Sequence, residues 1–187
     1  MRADHKEQNG IIREMKYPIV IAGYAGVGKT SLAKKYQNVF DLESSTYKYQ
    51  IEHSDNRRAV EVSKGTARPS NLGWPDNYIA ELKKQLQTHD IVLVQGKPAT
   101  LEILDRASIS YVICYPEKSS LNLYAKRFVK RGNNQDYVNK VLGEYDSSFE
   151  QWSKNPSPKM VLMAGETLED YLIRNNYHLI KRSKIVT

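Results

Sequence analysis

Short apolar runs alternate along this chain with longer stretches whose apolar residues recur at helical spacing. Tyr17-Pro18-Ile19-Val20-Ile21-Ala22 is β-branched and ends at Gly23, which predicts a buried strand. A helix is expected from Thr30 to Tyr36, and a short second strand at Val39-Phe40-Asp41-Leu42. Ile91-Val92-Leu93-Val94 is the clearest strand; Tyr111-Val112-Ile113-Cys114-Tyr115 and Met160-Val161-Leu162-Met163 complete a set of five. Between them, Asp76 caps a helix carrying Tyr78, Ile79, Leu82 and Leu86 on one face; Pro98 opens a helix with Leu101 and Leu104; and Ser119 or Ser120 caps one with Leu121, Tyr124, Ala125 and Phe128. A longer stripe follows through Tyr137, Val138, Val141, Leu142, Tyr145, Phe149 and Trp152. Thr167 and Asp170 have capping-box spacing.

Strands that read as continuous apolar runs and alternate with helices imply a parallel sheet covered on both faces, a doubly wound α/β sandwich. Residues 44–75 break the rhythm, being polar and far longer than the usual connection of about 2–6 residues. They are expected to form an insertion facing an acceptor. The expected organisation is an N-terminal arm over 1–16 and one domain over 17–187, with a lid at 124–137.

Composition narrows the classes. At 187 residues and 40% hydrophobic, the chain can bury a core without disulfides. The single cysteine, Cys114, rules out a disulfide framework and any multi-cysteine zinc site. No apolar run reaches membrane-spanning length and no signal peptide heads the chain, so the expectation is a cytoplasmic protein without a membrane partner. The net charge of +7 fits an anionic partner. Its distribution matters more: Lys118, Lys126, Arg127, Lys130, Arg131 and Lys140 face one acid, Asp136, over residues 118–140.

The strongest chemical signal is Gly23-Tyr24-Ala25-Gly26-Val27-Gly28-Lys29-Thr30, which matches G-x-x-x-x-G-K-[ST] between an apolar strand and a helix. Glycines let main-chain N–H groups wrap a phosphate, and the helix start adds its dipole and unpaired donors. Gly23, Ala25, Gly26, Val27, Gly28, Lys29, Thr30 and Ser31 form the expected nucleotide cradle. Lys29 supplies charge at the β- and γ-phosphates, and the Thr30 hydroxyl a ligand for magnesium. The metal's second contact usually comes from an acid at a strand end; Gln95 stands there on the third strand, whereas Asp41 ends the second, with Glu43 two residues on. Asp41 is thus the candidate metal contact, weighed against an ordinary turn acid.

Together these features resemble the P-loop kinases of nucleosides and nucleotides, the adenylate-kinase-like and shikimate-kinase-like group. Val94-Gln95-Gly96-Lys97-Pro98 resembles their third-strand segment, usually D-G-F-P-R; Arg127 and Arg131 resemble lid arginines; Ala164-Gly165-Glu166-Thr167 resembles the loop at the nucleotide base; and Asp41-Leu42-Glu43 is similar to the D-x-D of shikimate-type kinases. The whole chain is also similar to small nucleotide kinases carried by bacterial viruses. The resemblance implies a P-loop NTPase three-layer sandwich, a five-stranded parallel sheet in the order 2-3-1-4-5 and a short helical lid. It implies ATP, or another NTP, with Mg2+.

Arg127, Lys130 and Arg131 share one helix face, a cationic array that suits a transferring phosphoryl group. In the insertion, Arg57 and Arg68 are candidates for an acceptor phosphate, as is Gln95 for the substrate; Tyr47, Tyr49 and Trp74 are candidates for base stacking. The leading expectation is an ATP-dependent phosphotransferase acting on a small phosphorylated acceptor, a nucleoside monophosphate first, as monomer or homodimer. Lys29, Asp41, Arg127 and Arg131 would carry it. A polynucleotide-end kinase or NTP-dependent nucleic-acid-binding factor is the alternative that the basic segment allows. A nucleotide-binding module without catalysis is the one that Gln95 allows.

Overall fold

The computed structural model describes residues 17–50 and 69–183. The arm at 1–16 and the candidates Arg57 and Arg68 lie outside the described residues.

In chain order the described elements begin with β1 (Ile19–Gly23), α1 (Lys29–Lys35), β2 (Val39–Asp41), α2 (Ser45–Lys48), α3 (Asp76–Gln85) and β3 (Ile91–Gln95). There follow α4 (Pro98–Arg106), β4 (Val112–Pro116), α5 (Leu121–Lys130), α6 (Gln135–Gly143), α7 (Tyr145–Lys154), β5 (Lys159–Leu162) and α8 (Leu168–Arg174). A 3₁₀ turn at Lys118–Ser120 leads into α5. The sheet runs β2-β3-β1-β4-β5 and every pairing is parallel. Helices cover both faces, giving the three-layer P-loop NTPase-like architecture with the strand order expected.

The central strand explains why the sequence reads as it does. All five residues of β1 are buried, as are all five of β4 and the first four of β3. Strands walled on both faces must be apolar at every position. Truncating a fully buried side chain such as Leu93 costs about 2–5 kcal/mol in such a setting. The register sets Gly23 beside Gln95 on one side and Cys114 on the other, so the loop after β1 leaves from the middle of the sheet's carboxyl edge. In open parallel sheets that edge is where ligands bind.

Boundaries moved by one or two residues from the sequence reading. The stripe from Tyr137 to Trp152 divides into α6 and α7 at Gly143 and Glu144, where glycine costs roughly 1 kcal/mol of helix propensity. Asp76 is the first residue of α3 rather than its cap, which is Pro75. The Thr167 capping box of α8 is formed in both directions. After α8 the chain returns to the far end of the sheet: Gln37 N–H donates to Ile180 O at 2.8 Å, and the Asn38 amide donates to His178 O at 2.9 Å. No described helix is long and apolar enough to cross a membrane.

Candidate functional site

The loop between β1 and α1 has the form its glycines suggest. Gly26 and Gly28 have φ of 83° and 104°. A Cβ on Gly26 would lie 2.9 Å from the Phe128 ring and 3.0 Å from that of Tyr124. Gly26 is thus glycine for two reasons, its left-handed backbone and the helix α5 pressed on it. Tyr24 N–H donates to Cys114 O at 2.8 Å; the next main-chain N–H found donating to a main-chain oxygen among the described residues is Leu32, to Gly28 O at 3.0 Å. Residues 25–31 therefore present a run of N–H groups without such partners. That run and the start of α1 form the kind of concavity that holds an anion.

Two side chains complete the cradle. Lys29 Nζ donates to Gly23 O at 2.8 Å and to Tyr24 O at 3.1 Å, folding the amine back over its own loop. Burial holds this ammonium below the ordinary lysine range; Asp41 and Glu43 oppose the shift, and the charge of Arg131 adds to it. Thr30 Oγ1 donates to Asp41 Oδ2 at 2.7 Å, joining the first turn of α1 to the end of β2. A hydroxyl and a carboxylate are hard oxygen donors of the type magnesium takes while keeping several waters. The residues present therefore fit the ion, with Thr30 and Asp41 as those that would hold it. Among the described residues no group of three or more His, Cys, Asp or Glu side chains forms an all-protein metal site.

The loop is fastened from three directions that the sequence did not disclose. Leu168 N–H, in the first turn of α8, donates to Val27 O at 2.9 Å. Tyr24 sends its hydroxyl to Val141 O on α6 at 2.9 Å, and its ring meets Tyr124, Tyr145 and Trp152. Gly96, just after β3, donates its N–H to Gly23 O at 3.0 Å. The sequence signal for these contacts was an excess of aromatics in 111–152, which reads as generic core until the helices are placed.

The remaining candidates take distinct positions. Gln95 ends β3 and accepts from the buried Ser44 hydroxyl at 3.3 Å. Arg131 caps the C-terminus of α5 and is exposed, near enough for its charge to act on Lys29. Arg127 donates from Nη2 to Gly165 O at 2.9 Å and lies 4.7 Å from the Tyr124 ring centroid, while its Nη1 is buried without a hydrogen-bond partner. Arg127 is thus tied to the loop before α8, whereas Arg131 stands one helical turn on, at the end of α5. Lys97, which follows Gly96, pairs with Glu144 at 3.1 Å. Tyr47 and Trp74 both pack on Tyr78, with Lys48 over Trp74. Cys114 is buried beneath the loop, its thiol pushed up to about 12 by burial, which removes it from nucleophilic chemistry.

No family model matches the chain. No curated protein matches it either. Solved structures do, and among them is the tunicamycin resistance protein of Deinococcus radiodurans. That protein is 15% identical, with the match covering 87% of this chain and 97% of that one at a TM-score of 0.47.

Proposed function

We propose that the chain is an ATP-dependent phosphotransferase acting on a small acceptor, with a nucleoside or deoxynucleoside monophosphate as the favoured class. One observation carries the reading: a glycine loop at the carboxyl edge of a parallel sheet, whose lysine folds over it and whose threonine is joined to a strand-end carboxylate at 2.7 Å. Phosphoryl transfer needs little covalent chemistry from a protein. It needs positioning, charge and exclusion of water.

Each residue has a task in those terms. The N–H groups of residues 25–31 and the start of α1 bind phosphate oxygens. Lys29 exchanges its two carbonyl partners for oxygens of the β- and γ-phosphates, where its charge is matched. Thr30 and Asp41 hold magnesium, which when bound neutralises phosphate charge. Arg131, at the C-terminus of α5, would meet the transferring group, and Gly132-Asn133-Asn134 after it is the proposed hinge of the lid over 124–137. Arg127 orders the loop at Gly165, beside which the nucleotide base is placed. The acceptor is assigned to the β2 side of the cradle, with Gln95 as a substrate contact, Tyr47, Tyr49 and Trp74 as stacking candidates, and Arg57 and Arg68 as the candidate phosphate contacts. The test is ATP consumption across all ribo- and deoxynucleoside monophosphates, with Lys29→Ala as control. An acceptor that stimulates turnover only with Lys29 in place supports the reading. No stimulation above that variant overturns it.

A second reading rests on Lys126, Lys130, Arg131 and Lys140, four cations exposed on α5, α6 and the turn between them. A polynucleotide end could serve as acceptor beside such a surface. Stimulation by 5′-hydroxyl oligonucleotides rather than by monophosphates would favour it.

A further inference from the structure

We infer that Trp152 is a positioning residue for the nucleotide cradle: through Gly96 it holds the Gly23 carbonyl from which Lys29 must be released. The inference rests on the proposed nucleotide site. Gly23 O accepts two hydrogen bonds, from Lys29 Nζ at 2.8 Å and from Gly96 N–H at 3.0 Å. A carbonyl has two lone pairs, so this acceptor is full. When Lys29 turns to a phosphate, the Gly96 donor keeps Gly23 O satisfied. Without that donor, release of Lys29 would orphan a buried acceptor, and an orphaned buried acceptor is costly.

The position of Gly96 is therefore critical, and two features fix it. No other residue fits, because a Cβ there would lie 2.8 Å from Ala22 O and 3.0 Å from Gly23 C. Its own carbonyl accepts from Trp152 Nε1 at 2.8 Å in a buried bond. Trp152 in turn is locked by rings. It stacks on Tyr115 at 5.1 Å and 15°, and meets Tyr24 and Tyr145 edge-on at 5.7 and 5.8 Å. Tyr24 belongs to the nucleotide loop itself, so the indole touches the cradle twice, by its ring at Tyr24 and by its N–H through Gly96.

The test separates the N–H from the ring. Trp152→Phe keeps an aromatic side chain; replacement of Trp152 by the isosteric 3-benzothienylalanine keeps the ring shape and removes only the donor, and serves if the first variant fails to fold. Dissociation constants for ADP with Mg2+ are measured by calorimetry for both, beside Leu104→Ala, a buried core variant whose side chain takes no part in the Trp152–Gly96–Gly23 hydrogen bonds. The expected result is about tenfold weaker ADP binding in the donor-less variants, the size of one hydrogen bond to a group that must stay paired. Leu104→Ala should bind ADP as the unaltered protein does, although it loses stability. A Trp74→Phe background, which leaves Trp152 as the sole tryptophan, should show a change of its emission on ADP addition. Wild-type affinity in the folded benzothienylalanine protein would overturn the inference while leaving the nucleotide site intact. Absence of ADP binding by the unaltered protein would instead overturn the site on which it rests.

Discussion

Replacing Gly26 by alanine tests how the cradle is built, because the structure assigns the cost to two separable sources. The first is the backbone: a φ of 83° is outside the range an L-residue adopts readily, and costs roughly 1–2 kcal/mol. The second is contact: the added methyl would lie 2.9 Å from Phe128 Cε1 and 3.0 Å from Tyr124 Cδ1, both on rings buried to within 1%. Rings so enclosed cannot move aside without disturbing α5, and overpacking of this kind costs about 1–3 kcal/mol. The sum is roughly 2–5 kcal/mol, read as a lowered denaturation midpoint at unchanged slope in urea unfolding. Gly132 gives the control. Its φ of 81° is equally left-handed, but nothing lies within 4 Å of its Cβ position, so Gly132→Ala should lose only the backbone part, about 1–2 kcal/mol. Adding Phe128→Ala should recover that ring's share of the contact part in the Gly26→Ala background, a non-additive result diagnostic of direct contact. Equal losses for Gly26→Ala and Gly132→Ala, or full additivity with Phe128→Ala, would refute the packing of α5 on the loop.

Three further outcomes are expected. Arg131→Ala should lower kcat far more than it weakens ATP binding if it meets the transferring group as proposed; equal loss in both would make it a ground-state contact only. Asp41→Asn should raise the magnesium concentration needed for half-maximal turnover by about tenfold or more, in line with loss of one charged ligand, and an unchanged magnesium requirement would remove Asp41 from the metal. For α8, the Thr167 side chain and then its backbone N–H hold the Asp170 carboxyl below the usual aspartate range. A depressed carboxyl stabilises the fold above the unfolded value of about 3.9 and loses that contribution as pH falls below it. The stability gap between the unaltered protein and Asp170→Asn should therefore be constant above pH ~5 and close below pH ~4; a gap that stays constant through that window would show the cap to be insensitive to charge.

The sequence disclosed most where one residue type has one physical use. Gly26 and Gly28 are such positions, because left-handed backbone admits few substitutes. The apolar runs at 19–23, 91–94 and 112–115 were legible because a strand covered on both faces has no polar position to blur it. The sheet order followed from the P-loop resemblance rather than from periodicity. Long-range contacts were opaque. Nothing about Tyr24 announces a hydrogen bond to Val141, 117 positions away, and nothing about Trp152 announces Gly96. Arg127 and Arg131 share a helix face in the sequence, yet one is held at Gly165 O and the other caps α5, which ends between them.

The central claim is that residues 23–30 grip a polyphosphate, and titration calorimetry of ADP with Mg2+ against the unaltered protein and Lys29→Ala tests it most directly. The account predicts saturable one-to-one binding that weakens at least tenfold on loss of the amine, the loss expected when a buried charged hydrogen bond is removed. Binding of equal strength in the two proteins, or none in either, would contradict it.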